Sequence, residues 1–265
     1  MAPQTSAQKG AVTSFVAVTG ASEKVALKFL KSSSYKVNEA LDAYYRAASG
    51  QGTASGDRLN QQFDRLRTAR DNDTLGADSS MEYLQAIGVG LEDASLFVAV
   101  ELLQAPSIGQ ITRTGFVNGW RQVGADADVE SQAAYLKRLT GSLATDRDLF
   151  RKVYRYSFLA GKEKDQKALA LDMALVYWET LFKKPGPGWV GASTKIDWFQ
   201  EWKEFLAANW KRSVNRDMWN QTLEFAFKSV DDETLSFWSE DGAWPGVIDE
   251  FVAWYRRKSE MEVDA

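Results

Sequence analysis

Asp71-Asn72-Asp73-Thr74-Leu75-Gly76-Ala77-Asp78-Ser79-Ser80-Met81-Glu82 lies between two stretches of helical periodicity, and its reading decides the fold class. Asp71, Asp73, Gly76 and Glu82 match the D-x-D-x-x-G-x-x-x-x-x-E spacing of a helix–loop–helix calcium site. Leu75 stands at the fifth position and offers no side-chain oxygen. Asp78 stands at the eighth, where an apolar residue normally pairs with a sister loop. A hard cation needs about six or more oxygens. The stretch therefore predicts EF-hand-like helix pairs with a degenerate loop, and no metal or cofactor is expected. The alternative kept open is a calcium-responsive EF-hand-like regulatory protein.

Working outward, helix follows helix. Expected helices are Arg58–Arg70, Ser80–Ile87, Ala94–Leu103, Arg113–Val123, Val129–Ser142, Asp146–Leu159 and Ala168–Phe182. The Lys184-Pro185-Gly186-Pro187-Gly188 break follows, then Ile196–Asn209, Asn215–Phe227 and Pro245–Lys258. Pro245 suits a first helical position, where its missing N–H costs nothing. Short extended stretches at Gly109–Thr112 and Lys167–Ala170 are the candidate pairing strands of the helix pairs. Nothing supports a sizeable sheet, so the class is all-α.

Toward the N-terminus, Val12, Phe15 and Val16 mark a first helix. Ser22 is a candidate cap for a second, which carries Val25, Leu27, Phe29 and Leu30. Val37, Ala40, Leu41 and Tyr44 repeat at the helical interval of a third. Three short helices give a very small core. The tract 47–56, AASGQGTASG, has no large apolar residue and predicts a flexible linker. The boundaries are 8–46 for the small domain, 47–56 for the linker and 57–259 for the large helical domain.

Composition narrows the function. The chain of 265 residues has no Cys and no His. That excludes thiolate nucleophiles, thioester intermediates, Cys-ligated zinc, Ser-His-Asp triads and Cys-His dyads. GxxxxGK[ST], GxGxxG and GxSxG motifs are absent. A non-enzymatic binding protein is the reading that remains, with a carboxylate enzyme as its weaker rival. The N-terminus lacks a signal-peptide pattern, and the longest apolar stretch, Leu96–Leu103, is broken by Glu101. A soluble protein of cytoplasm or nucleus is expected, with no membrane or nucleic-acid partner.

Net charge is −4, but residues 217–250 carry nine acids against Lys228 alone. Such an acidic third suits a basic partner, or else a solvated face. Within it, Asp241-Gly242-Ala243-Trp244-Pro245-Gly246-Val247-Ile248-Asp249-Glu250-Phe251 is the most distinctive run. Asp217 and Asp249 near two helix starts, with small Ala243 between them in sequence, could grip a Lys or Arg side chain. Both could equally serve the helix dipoles. Trp198, Trp202, Trp210, Trp219, Trp238, Trp244 and Trp254 crowd the same region and read chiefly as core.

These residues resemble a known family. Arg212-Ser213 through Asp217-Met218-Trp219, and Asp241 through Val252, resemble the C-terminal signature of the defective-in-cullin-neddylation proteins. Gln8–Tyr45, with Ser22-Glu23-Lys24, resembles their N-terminal ubiquitin-associated-like (UBA-like) three-helix domain. Leu171-Asp172-Met173-Ala174 with Tyr177-Trp178 resembles the middle of their potentiating-neddylation (PONY) domain.

The resemblance implies a scaffold-type co-ligase. It would hold a cullin's C-terminal winged-helix region together with the modifier-charged conjugating enzyme, and carry no chemistry itself. It implies cullin binding by Asp217, Ala243 and Asp249. It implies a pocket for the conjugating enzyme's N-acetylated tail at Leu96, Ala99, Val100, Ile108, Ile111, Phe158 and Tyr177. Ser80, Ala99 and Gly109 are smaller or more polar there than the family pattern. It also implies ubiquitin or ubiquitin-like contacts at Thr19 and Gly20, where Val18-Thr19-Gly20 replaces the usual Met-Gly-Phe/Tyr loop.

Overall fold

The computed structural model describes residues 6–19, 21–33, 35–69 and 71–263. The chain divides into two compact units, Met1–Arg58 and Leu59–Ala265.

The first unit contains α1 (Ser6–Thr19), α2 (Glu23–Ser32) and the start of α3 (Val37–Leu66). Val12, Phe15, Ala26, Leu30 and Ala40 form its core. The rings of Phe15 and Phe29 stack at 6.4 Å. Ser22 does not cap α2 with its side chain. Its backbone carbonyl accepts from the Val25 and Ala26 N–H groups instead. The expected flexible linker differs in the structure, because α3 runs unbroken through 47–56. No proline interrupts that tract, and its alanines favour helix, while each helical glycine costs about 1 kcal/mol relative to alanine. The helix then ends at Leu66, short of the expected Arg70.

The second unit opens with the last turns of α3, whose Leu59 and Phe63 are core residues. There follow β1 (Thr74–Leu75), α4 (Ala77–Ala86), α5 (Ala94–Leu102), β2 (Ile111–Thr112) and α6 (Arg113–Gln122). α7 (Val129–Gly141), α8 (Arg147–Gly161), β3 (Ala168–Leu169) and α9 (Leu171–Phe182) come next. α10 (Trp198–Asn209), β4 (Val214–Asn215), α11 (Arg216–Asp231) and α12 (Gly246–Val263) complete it. β1 pairs antiparallel with β2, Leu75 opposite Ile111, and β3 pairs with β4, Leu169 opposite Val214. Two of these strands fall inside the extended stretches read from sequence. Their partners, Thr74–Leu75 and Val214–Asn215, were not expected as strands. Each is a two-residue segment that only its partner makes regular.

α5 is buried on every side from Ala94 to Glu101, which makes it the axis of the unit. It packs chiefly on α8 and α7. α8, α9 and α11 are locked by three aromatic side chains. Trp178 Nε1 donates to the Tyr154 hydroxyl at 2.6 Å, and that hydroxyl donates to the Trp219 carbonyl at 2.8 Å. Trp219 Nε1 donates back to the Tyr154 carbonyl at 2.9 Å. The Trp219 ring stacks on Tyr154 at 4.5 Å and on Trp178 at 5.1 Å. Trp198, Trp202 and Trp219 are fully buried, as core tryptophans should be. Trp210, Trp238, Trp244 and Trp254 are only half-buried.

Candidate functional site

The stack just described sets the first turn of α11. Asn215 caps that helix, its Oδ1 accepting from the Met218 N–H at 2.8 Å. Met218 and Trp219 point into the core, which leaves Asp217 exposed. A carboxylate in a first turn is favoured by the helix dipole.

The segment between α11 and α12 is fastened at several points. Asp232 accepts from the N–H and hydroxyl groups of both Thr234 and Ser236. Those bonds hold its pKa at about 2, below the ordinary 3.8. Leu235 is buried with a left-handed φ of 56°. Phe237 and Trp244 pack edge-on against Phe225 at 5.5 and 5.8 Å. Gly242 is required sterically, since a Cβ there would lie 2.8 Å from the Ser239 carbonyl oxygen. Ala243 is left exposed beside the half-buried Trp244.

α12 begins at Gly246, one residue after the expected Pro245, whose carbonyl accepts from Ile248 and Asp249. Val247, Ile248, Phe251 and Val252 enter the core, leaving Asp249 and Glu250 on the outer side.

The starts of α11 and α12 enclose a cavity of about 240 Å³, with Asp217 and Met218 on one wall and Pro245, Val247 and Glu250 on another. The structure thus brings Asp217 to Glu250. Asp249 is turned about 100° from Glu250 around the helix. Its Oδ1 accepts from Trp238 Nε1 at 2.9 Å. Neither Asp249 nor Ala243 lines this cavity. Sequence reasoning counted Glu250 only as one acid among nine and Trp238 only as one tryptophan among seven. The adjacency of Asp249 and Glu250 in a first turn was the available signal, because adjacent helical residues must face different neighbours.

The acidic window is less available than its net charge of −8 suggests. Glu224 pairs with Arg151 and Arg155, and Asp231 takes both terminal nitrogens of Arg147. Asp232 holds its own turn, and Glu233 accepts from the N–H groups of Ser193 and Thr194 and from the Thr194 hydroxyl. Among the described residues, Asp217, Glu240, Asp241, Asp249 and Glu250 are in no ion pair.

Asp232 gives a pH prediction. Its folded pKa lies below its unfolded one, so its contribution is present above about pH 4 and lost as pH falls toward about 2. The gap in melting temperature between the chain and Asp232→Ala should be widest at neutral pH and close between those limits. A gap that stays constant down to the lower limit would overturn this.

Of the seven residues expected to form an apolar pocket, Leu96 and Tyr177 share a cavity between α5 and α9. Ala99, Val100, Ile111 and Phe158 are buried core, and Ile108 is half-buried with its N–H bound to the Ala160 carbonyl. The shared cavity, of about 390 Å³, is also lined by Leu91, Phe97, Val176 and Lys183. Phe97 meets Tyr177 edge-on at 4.9 Å. The Tyr177 ring sits so close to Gly161 that no Cβ would fit there. Val176 and Met173, three residues apart on α9, are exposed apolar side chains, and that spacing was the missed signal. Ser80, unexpectedly polar for this region, is buried with its hydroxyl donating to the Leu75 carbonyl of β1. Gly109 has a left-handed φ of 89° beside Met81 and Ala77.

The calcium-like loop has other employment for its oxygens. Asp71 accepts from the Thr68 and Gly76 N–H groups and from the Thr68 and Ser79 hydroxyls. These bonds hold its carboxyl well below the usual range. Asp73 pairs with Arg113, which also reaches Asp64. Leu75 is buried in the core. Among the described residues no cluster of three carboxylates is arranged to hold a metal, and the calcium-responsive reading is not favoured. Asp64, Glu204, Asp231, Asp232 and Glu233 are held below the usual carboxylate range by hydrogen bonds from hydroxyl, amide and basic groups.

In the first unit, the Thr19 hydroxyl donates to the Phe15 carbonyl and accepts from the Ala21 N–H, closing the end of α1. Gly20, expected beside it in the ubiquitin contact, lies outside the described residues. No helix among the described residues is long and apolar enough to cross a membrane.

Comparison with known proteins adds the family. The sequence pattern described as "Cullin binding" matches residues 131–254, and that of the "UBA-like domain" matches residues 11–51. "Defective in cullin neddylation protein 1" of Pyricularia oryzae is 42% identical over 280 residues, covering 99% of this chain and 100% of the relative. The protein of the same name in Yarrowia lipolytica is 30% identical, over 88% of this chain and 91% of the relative. Human "DCN1-like protein 4" is 29% identical, over 71% of this chain and 59% of the relative. The first match spans both units and both chains almost end to end. This chain is a member of the defective-in-cullin-neddylation family.

Proposed function

We propose that this chain promotes cullin neddylation as a non-covalent scaffold. Its acidic surface at the starts of α11 and α12 would hold the cullin's C-terminal winged-helix region. The apolar cavity between α5 and α9 would hold the N-acetylated tail of the modifier-charged conjugating enzyme. The observation that carries this reading is the placement of Asp217. It is exposed, in no ion pair among the described residues, and held by a buried aromatic stack at a cavity it shares with Glu250.

A chain with neither Cys nor His would act through proximity and orientation, whose effective molarities reach roughly 10⁵ M and above in well-aligned systems. The cavity suits its assigned role in having apolar walls at Leu91, Leu96, Phe97 and Val176, with Lys183 and Glu92 at the lining. The UBA-like unit would contribute a ubiquitin or ubiquitin-like contact through Thr19, Gly20 and the third helix.

The test is reconstituted transfer of the modifier from its charged conjugating enzyme to a cullin. Transfer should accelerate when this chain is added and return to the uncatalysed rate with Asp217→Lys. Equal rates with and without the wild-type chain would overturn the reading.

A further inference from the structure

Resting on that reading of the acidic surface, we propose that Trp238 is a positioning residue for cullin engagement, which acts by fixing the carboxylate of Asp249. The first turn of a helix leaves an aspartate side chain free to rotate, and a partner must then offset the lost rotamer entropy on binding. Here that freedom is removed in advance. Trp238 Nε1 donates to Asp249 Oδ1 at 2.9 Å, across eleven residues of chain. Oδ2 has no hydrogen-bond partner among the described residues.

Trp238 is itself held in place. Its backbone N–H donates to the Leu235 carbonyl, within the turn that Asp232 organises. Its neighbour Phe237 is packed on Phe225. The guanidinium of Arg256 lies 4.9 Å from the Trp238 ring centroid. Arg256 is seven residues beyond Asp249, about two turns on and on the same face of α12. One side of the carboxylate is therefore closed by protein. A partner's cation is left one free oxygen on a pre-oriented anion. Such an oxygen suits a single charge-assisted bond from an ammonium better than the two-pronged fork of a guanidinium, which needs both oxygens.

The variant that tests this is Trp238→Phe, which keeps an aromatic face for Arg256 and removes the indole N–H together with part of the ring volume. Binding to a purified cullin C-terminal fragment would be measured by calorimetry for the full chain, Trp238→Phe, Asp249→Asn and the double variant. Trp238→Phe should weaken binding about tenfold, the scale of one charge-assisted hydrogen bond. In the Asp249→Asn background it should weaken binding little further, because the indole then orients a neutral amide and no longer an anion.

A structural role alone would give the same loss in both backgrounds, and that result would overturn the proposal. Weakening by Asp249→Asn with none from Trp238→Phe would overturn it while leaving the scaffold reading in place. Unchanged binding in Asp249→Asn would sink the assignment of Asp249 to the cullin surface and the proposal with it. A second measurement needs no change at Trp238. The indole proton resonance of Trp238 should move in Asp249→Ala, which removes the acceptor, and an unmoved resonance would show that the bond does not form in solution.

Discussion

Asp217→Lys is expected to abolish measurable cullin binding while lowering the melting temperature only slightly. The two effects separate because Asp217 does different things for the fold and for a partner. For the fold it is one exposed carboxylate in the first turn of α11, beside an Asn215 cap that is untouched by the change. Reversing its charge opposes the helix dipole, worth about 0.3–1 kcal/mol at such sites. For a partner it is an anion facing a cavity of about 240 Å³ that Glu250 also lines. A basic side chain entering that cavity loses water, and a lysine opposite it turns attraction into repulsion at short range. Changes at desolvated charge pairs cost about 2–5 kcal/mol, or roughly thirtyfold to several thousandfold in affinity. Glu250→Lys should behave alike, because it shares the cavity. Glu240→Lys should change affinity far less, since that residue is exposed on the loop and lines no part of the cavity. Calorimetry with a cullin C-terminal fragment, beside thermal melts, gives both quantities. Binding of Asp217→Lys within threefold of wild type would show that the cavity is not where the cullin sits.

The contrast between Glu250 and Glu240 shows what a sequence carries and what it hides. Helices with strong apolar periodicity were legible because burial alone imposes that period. Asp146–Leu159 became α8 at Arg147–Gly161, with Asp146 as its cap. Linear spacing also located Gly109–Thr112 and Lys167–Ala170, since short apolar stretches between helices have few other fates. Thr74–Leu75 and Val214–Asn215 were not legible as strands, because a two-residue strand exists only through a partner distant in the chain. The tract 47–56 misled because glycine and serine lower helix propensity without forbidding helix.

The acidic window shows the same limit in charge. Its sum was right, yet it could not reveal that Glu224 and Asp231 are answered by arginines from α8, 69 to 84 residues upstream. Nor could it reveal that Asp232 and Glu233 serve backbone N–H groups. The apolar pocket residues were only partly legible for a related reason. Residues such as Ala99, Val100 and Ile111 look alike in sequence whether they line a cavity or fill a core. Only the third dimension assigns them to the core and gives Val176 to the cavity.

Trp219→Ala should be the most destabilising single change in the region, and it links the fold to the site. The ring is fully buried, stacked on Tyr154 and Trp178, and its Nε1 bonds the Tyr154 carbonyl. Truncating a buried aromatic to alanine typically costs about 3–5 kcal/mol, through lost burial and the cavity left behind. That is a large part of the roughly 5–15 kcal/mol that keeps a domain folded. The loss should fall on the larger unit, because Trp219 belongs to its core cluster and Phe15, Leu30 and Ala40 of the first unit form a separate one. Denaturant unfolding followed by tryptophan fluorescence reports the larger unit selectively, since every tryptophan of the chain lies beyond residue 58. Trp219→Phe is the informative companion. It keeps a ring in the stack but removes the N–H donor and part of the volume, so its cost should be smaller, on the order of 1–3 kcal/mol. Asp217 stands two residues before Trp219, so the alanine variant should also lose cullin affinity under conditions where it remains folded, by releasing the first turn of α11. The phenylalanine variant should retain most of it. A loss below about 1 kcal/mol for Trp219→Ala would mean that the stack does not anchor α11, and that the position of Asp217 is set by the Asn215 cap and the β3–β4 pairing instead.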